Sequence, residues 1–227
     1  MNIIAILQAR MSSKRYPGKV LHKINNKCLL QYILERLKRV SQLTQVIVAT
    51  STDASDDPIN IFCNDFDIEC YRGSLENVVD RFQSLLGEYP CDAFLRVNGD
   101  SPFIDNRLIE TGIKIFCREN YDLVTNVLTR TFPKGQSVEI VKTKTFKKID
   151  QNILSIDEKE HITKYFYNLQ SLYSIHNFTY EKKLGNIQLS VDTAEDMNIT
   201  KKIFYNMTKQ HWQYCWHEIY EMYTKVK

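Results

Sequence analysis

Between Ala9 and Val20 the sequence carries four cations, Arg10, Lys14, Arg15 and Lys19, with hydroxyls at Ser12 and Ser13, a glycine at Gly18 and no acid among them. Such a stretch offers charge-assisted donors and accessible backbone amides, the chemistry that holds a polyphosphate. The ordinary alternative is a solvated basic loop, since short motifs match by accident at a high rate. The spacing is neither GxxxxGK[ST] nor GxGxxG, so neither a P-loop ATPase nor a dinucleotide-dependent dehydrogenase is supported.

Two carboxylates complete the chemistry. Asp100, in "RVNGDSP", follows the apolar run Ala93–Val97, and Asp192, in "LSVDTAEDM", follows the strand-like run Ile187–Val191. Oxygen ligands of this kind suit Mg²⁺, which neutralises a triphosphate and aligns it for attack at phosphorus. Each acid also has a plain structural reading, Asp100 as a turn residue in Gly-Asp-Ser-Pro and Asp192 as a cap for the helix that follows. Together with the cationic loop they describe one polyphosphate–metal site.

The elements that must position these groups alternate. Apolar runs at Ile3–Leu7, Val46–Ala49, Ile68–Tyr71 and Ala93–Val97 read as short strands. The stretch Cys28–Val40 sets Leu30, Ile33, Leu34 and Leu37 on one helical face, Asp57-Pro58 reads as a helix start, and Val79, Phe82 and Leu86 keep helical spacing. This rhythm predicts an α/β protein with a mostly parallel sheet covered by helices on both faces, with ligands beyond the carboxyl ends of the strands. Both the cationic loop and Asp100 lie at such ends. After about Thr125 the rhythm weakens: Gln136–Val141 is strand-like, "DEKEHITKYFYN" helical and "SLYSIHNFTY" strand-like again. An inserted lobe at 125–185 within a single domain of 1–227 is the expectation, followed by a helical, tyrosine-rich tail.

With 227 residues, 43% of them hydrophobic, the chain can bury a proper core. A net charge of +3 from 30 basic and 27 acidic residues is too balanced for a dedicated nucleic-acid binder. The six cysteines show no CxxC spacing and mostly fall in apolar segments, which reads as reduced core cysteine and a cytoplasmic setting. No run of eighteen apolar residues and no leader pattern occurs, so a membrane is not expected.

The stretch "QARMSSKRYPGKVL" resembles the N-terminal signature of the cytidylyltransferases that make CMP-activated acidic sugars, such as the acylneuraminate and Kdo cytidylyltransferases. It is most similar to their SpsF-like branch, of spore-coat polysaccharide biosynthesis. "VIVATS", "YRGSLENVVDRF", "RVNGDSP", "EHITKYFY" and "VDTAEDM" recur in the same order, so the resemblance spans about Ile3 to Thr200. It implies a Rossmann-like nucleotide-diphospho-sugar transferase fold, Mg²⁺ dependence, a homodimer, and attack of an acidic acceptor on the α-phosphorus of CTP with loss of pyrophosphate. By the same resemblance the backbone from Leu7 to Ala9 meets cytosine, and Arg10, Met11, Ser12, Ser13 and Lys19 hold the nucleotide. Arg72, Ser74, Asp80 and Arg81 line the base side, and Asn98 lies near the nucleoside. Asp100 and Asp192 would hold the metal, and Arg10, Lys19 and Asp100 would be catalytic. Arg130, Lys134, Glu139 and His161 are the implied acceptor-binding residues.

The chain departs from the family pattern where Ser12 stands for glycine, Tyr16 for leucine, and Pro133-Lys134-Gly135 for Pro-Asp-Gly. A serine held at positive φ would be strained by roughly 1–2 kcal/mol, so Ser12 is expected at negative φ with its hydroxyl turned to a phosphate. Lys134 adds a cation suited to a carboxylate, phosphate or phosphonate on the acceptor. Two other readings stay open: the same fold using another nucleoside triphosphate, and a non-enzymatic module whose basic loop binds RNA or a protein. The RNA reading calls for aromatics interleaved with the cations, and the loop contains only Tyr16.

Overall fold

The computed structural model describes all 227 residues. The apolar start of the chain forms β1 (Ile3–Gln8), whose side chains are buried from Ile3 to Leu7. Burial on both faces is the mark of a central parallel strand. A small hairpin, β2 (Lys23–Ile24) and β3 (Lys27–Cys28), turns through Asn25 and Asn26 at φ 48° and 64°, the left-handed pair of a two-residue hairpin turn. Helix α1 (Leu29–Leu37) buries Leu30, Ile33, Leu34 and Leu37, and also Arg36, which is fully buried.

Strand β4 (Gln45–Ser51) pairs in parallel with β1. Helix α2 (Asp57–Asp65) has its proline in the first turn, but the residue at the cap is Asp56 rather than Asp57. The Asp56 carboxylate turns away from the helix to accept from the amides of Met11 (2.7 Å) and Ser51 (3.2 Å) and the Ser51 hydroxyl (2.5 Å). Strand β5 (Cys70–Gly73), shifted two residues from the sequence expectation of 68–71, extends the sheet beyond β4. Helix α3 (Val78–Glu88), capped by Asn77, carries the chain back to β6 (Ala93–Asn98), which pairs in parallel with the other side of β1. The strand order therefore reverses at β1, the switch point at which ligands bind in open α/β sheets.

Helix α4 (Asn106–Arg118) leads to β7 (Leu123–Thr125), and β8 (Glu139–Lys142) then inserts antiparallel between β6 and β7. Two short helices, α5 (Thr143–Phe146) and α6 (Ile156–Glu160), precede α7 (Lys164–Asn168) and the edge strand β9 (Ile175–Asn177). The sheet order is β5-β4-β1-β6-β8-β7-β9, with β8 alone reversed, which agrees with the expected mostly parallel α/β class. The segment 125–185 is not set apart from this sheet, because its strands β8 and β9 complete it. Its helical stretch breaks at His161, and Ile187–Val191 forms no strand, only a bridge between Lys134 and Gln188.

Strand alternation sends Ile3, Ala5, Leu7, Leu95 and Val97 toward α1 and α4, and Ile4, Ile6 and Phe94 toward α3, α5 and α7. By the same alternation Gln8 and Arg96 emerge on the α3 face, at the carboxyl end of the sheet. The tail, α8 (Ala194–Tyr205) and α9 (Trp216–Val226), packs Phe204 on Tyr32 with ring centroids 4.0 Å apart. Arg36 pins it by donating to the carbonyls of Ile104, His211 and Tyr214. No helix is long and apolar enough to cross a membrane, and all six cysteines are free.

His211 in this tail makes a pH prediction. Burial lowers its pKa from 6.5 to about 4, against the opposing pull of Glu35, 2.7 Å away. A folded-state pKa below the unfolded value means that the unfolded chain takes up the proton first. Stability should therefore be complete above pH 6.5 and fall by up to about 3 kcal/mol as pH drops toward 4. Denaturant unfolding at pH 7 and pH 5 checks it, with His211→Asn expected to flatten that part of the profile.

Candidate active site

The site begins where β1 and β6 end side by side, with Gln8 opposite Asn98. The Gly99 amide donates to the Gln8 carbonyl at 2.9 Å. A Cβ on Gly99 would stand 3.0 Å from that oxygen and 3.2 Å from Ala9 Cβ, so glycine lets the two strand ends close. The cationic loop and the Asp100 loop thus leave from one point. The first folds back on itself as the Met11 carbonyl accepts from Ser13 (2.9 Å) and Gly18 (2.8 Å), while the Met11 amide is fixed by Asp56.

The left-handed residue this loop needs is Gly18, at φ 72°. Ser12 is not in positive φ, and its exposed side chain is outside the cavity described below. The expected phosphate-directed hydroxyl is therefore not supported. Ser12→Gly should lower stability by about 0.4–1 kcal/mol, through added freedom of the unfolded chain, and leave CTP affinity within twofold. Thermal melts and a CTP titration check both.

Lys19 lies at the centre, 8% exposed, with its ammonium 3.3 Å from both Asp100 and Asp192 and 2.6 Å from the Val191 carbonyl. The Val191 amide donates to the Asp100 carbonyl at 2.8 Å, which joins the two acidic loops. Asp192 also meets Arg15 at 3.0 Å and Gln188 at 3.1 Å. It does not cap α8: Thr193 and Asp196 form the capping box there, and Asp192 is left for the cavity.

These groups open onto a cavity of about 460 Å³ lined by all four loop cations, by Ala9, Ser13, Asn98, Asp100 and Asp192, and on the α3 side by Val78 and Arg81. Its far rim is Glu160 and His161. Glu160 accepts from Arg10 at 2.7 Å, and that contact, the largest influence, holds its carboxyl below the usual range. His161 is exposed and 3.7 Å from Asp157.

Other expected residues are elsewhere. The Leu7 side chain is fully buried in the sheet, and Met11 contributes its backbone to the loop. Arg72 is engaged by Asp57 (2.7 Å) and the Ser51 carbonyl (2.9 Å). Ser74 accepts from the Asn77 amide before α3, and Asp80 accepts from Gln151. Arg130 donates to Ser137, and the exposed Lys134 uses its backbone to bridge to Ile187 and Leu189. None of these seven lines the cavity.

Glu139 is corrected most firmly. It is 3% exposed and accepts from Arg96 (2.7 Å), Thr163 (2.7 Å) and Tyr167 (2.6 Å), so no face remains for an acceptor. Burial pushes its carboxyl up, but the Arg96 charge and the two hydroxyl donors outweigh this and hold it below its ordinary value. Arg96 lines the cavity without having been singled out, and Gln8 and Glu160 line it as members of the Leu7–Ala9 stretch and the "EHITKYFY" motif. Strand alternation carried the signal for Arg96, two residues before Asn98 on the same face.

The residues suit a hard divalent cation. Asp100 and Asp192 are oxygen donors that converge on one ammonium, and no group of three or more His, Cys, Asp or Glu gathers anywhere as a self-sufficient cage. Mg²⁺ is commonly bound by one or two carboxylates with substrate phosphates supplying the rest.

The Cytidylyltransferase family model matches residues 4–224, and the chain belongs to that family of nucleotidyltransferases. It is 34% identical over 202 residues to an uncharacterized protein of Methanocaldococcus jannaschii, covering 88% of this chain and 82% of that one. Over 210 residues it is 29% identical to the spore coat polysaccharide biosynthesis protein SpsF of Bacillus subtilis, covering 89% and 86%. The solved structure of a cytidylyltransferase from Leptospira borgpetersenii superposes with a TM-score of 0.93 at 26% identity, covering 99% of this chain and 94% of that one.

Proposed function

We propose that this enzyme transfers the cytidylyl group of CTP to a small acidic acceptor, an acidic sugar or a related phosphorylated or phosphonate metabolite, with release of pyrophosphate. The observation that carries this reading is the convergence of Arg10, Lys14, Arg15 and Lys19 with Asp100 and Asp192 on one cavity at the sheet's switch point. The named role of the Bacillus subtilis relative supports a product used in surface polysaccharide or glycoconjugate synthesis.

The four cations would bind the triphosphate and hold its charge as it builds on the departing pyrophosphate, the term that dominates catalysis in dry, preorganised sites. Lys19 places its three ammonium donors on Asp100, Asp192 and the Val191 carbonyl, so it would reach a phosphate by exchanging a carboxylate contact. Arg10 would exchange Glu160 for phosphate. Asp100 and Asp192 would hold Mg²⁺, which supplies charge neutralisation and lowers the pKa of an acceptor hydroxyl. Asn98, whose buried Oδ1 has no partner, is left to meet the nucleoside.

Pyrophosphate release from CTP and Mg²⁺ across a panel of sugar acids and phosphonates tests the reaction. Release that is independent of every acid, or that follows neutral sugars instead, would contradict it. A homodimer is part of the proposal, supported by the exposed Ile153, Ile156 and Leu172 in the 151–172 segment. Light scattering at micromolar concentration should give about twice the chain mass, and a monomer would remove the claim. A cytoplasmic setting, in which six free thiols stay reduced, completes it.

A further inference from the structure

The triphosphate end of the cavity does not account for two of its arginines. Arg81, on α3, is only 3% exposed, yet its Nε and Nη1 have no hydrogen-bond partner, and it lines the cavity. The carboxylate that most influences it, Asp56, is committed to Met11 and Ser51, and the neighbouring Arg10 adds a like charge. Burial is the main reason that its pKa is lowered to about 10. A buried guanidinium without an anion is costly, and the cost is relieved when an oxyanion arrives.

Arg96 reaches the same cavity from the end of β6, on the same face of the sheet as α3. Its Nε donates to Gln8 at 3.2 Å and its Nη1 to Glu139 at 2.7 Å. With two nitrogens held, its Nη2 is left to serve a ligand in a fixed direction. The Glu139 carboxylate that orients it also accepts from Thr163 and Tyr167, which fasten the Glu160–His161 rim over this end.

We propose that Arg81 and Arg96, contributed by α3 and β6 rather than by the cationic loop, form a second anion subsite that receives the acid group of the acceptor. The proposal rests on the reading of this cavity as a cytidylyltransferase active site. A triphosphate already has Arg10, Lys14, Arg15 and Lys19 of the loop. The second substrate therefore meets the surplus positive charge on the α3 side, and Glu160 and His161 remain to receive its hydroxyls. Guanidinium groups suit either a carboxylate or a phosphonate, since both present oxygens in the plane of an arginine fork.

The test is a titration of arginine Nε–H resonances in ¹⁵N-labelled protein, assigned with Arg81→Lys and Arg96→Lys, with acetate or methylphosphonate as the probe and CTP present. Saturable shifts at both arginines are expected with at least one anion, and the more potent anion identifies the acid class. Arg81→Lys, measured at saturating CTP, should weaken that anion tenfold or more. No shift at either arginine with either anion, or a response that CTP abolishes, would overturn the subsite. If CTP itself does not bind, the cytidylyltransferase reading fails while the anion titration still reports on the arginines.

Discussion

Asp100→Asn and Asp192→Asn should each cut pyrophosphate release by about 10²–10³-fold, the scale of removing one preorganised electrostatic group from a transition state. Each substitution removes a charge that Lys19 touches at 3.3 Å while the other acid keeps its contact. The loops themselves are joined by backbone, through the Val191 amide on the Asp100 carbonyl, so the fold should survive. Stopped reactions with wild type and both variants, alongside far-UV circular dichroism, decide it. Wild-type rates in either variant would remove that acid from the metal role and leave it as a partner of Lys19.

Glu139→Gln should destabilise the protein by about 3–5 kcal/mol, the cost of leaving one half of a buried ion pair without its partner. Arg96 has a side chain only 10% exposed and Glu139 one of 3%, so water cannot replace the lost charge. The amide also gives up one of the oxygens that receive Thr163, Tyr167 and Arg96. Replacing both charges, as in Arg96→Met with Glu139→Leu, should recover much of the stability, because no unpaired charge stays buried. Denaturant midpoints for the three proteins measure this. A Glu139→Gln loss below 1 kcal/mol would show that the pair is effectively solvated.

The loop, the two acids and the switch from strand to site were legible because each is a local signal: an apolar run that ends in charged or turn-forming residues. The 125–185 region was not, because β8 has its partners far away in sequence. Glu139 pairs with Arg96 across strands, and only that register shows that "QSVEIV" belongs inside the sheet. Glu139 was misread for the same reason, since a charged side chain does not announce whether it faces a ligand or a buried counter-charge, and Lys134 is exposed and outside the cavity. Ser12 drew attention as a missing glycine, whereas Gly18, six residues on, supplies the left-handed turn. Arg81 was expected near the base, but its lack of any partner is a property of packing that no spacing encodes.

The most direct measurement is a thermal-shift comparison of CTP, UTP, GTP and ATP, each with Mg²⁺, on the wild-type protein and on Arg10→Ala. A ligand that binds only the native state stabilises it in proportion to its affinity. CTP should raise the melting temperature most, and Arg10→Ala should weaken CTP by about 1.5–3 kcal/mol, the worth of a charged hydrogen bond. Equal shifts from all four nucleotides, a larger shift from another one, or a CTP response that Arg10→Ala leaves intact would contradict a cytidine-selective triphosphate site in this cavity.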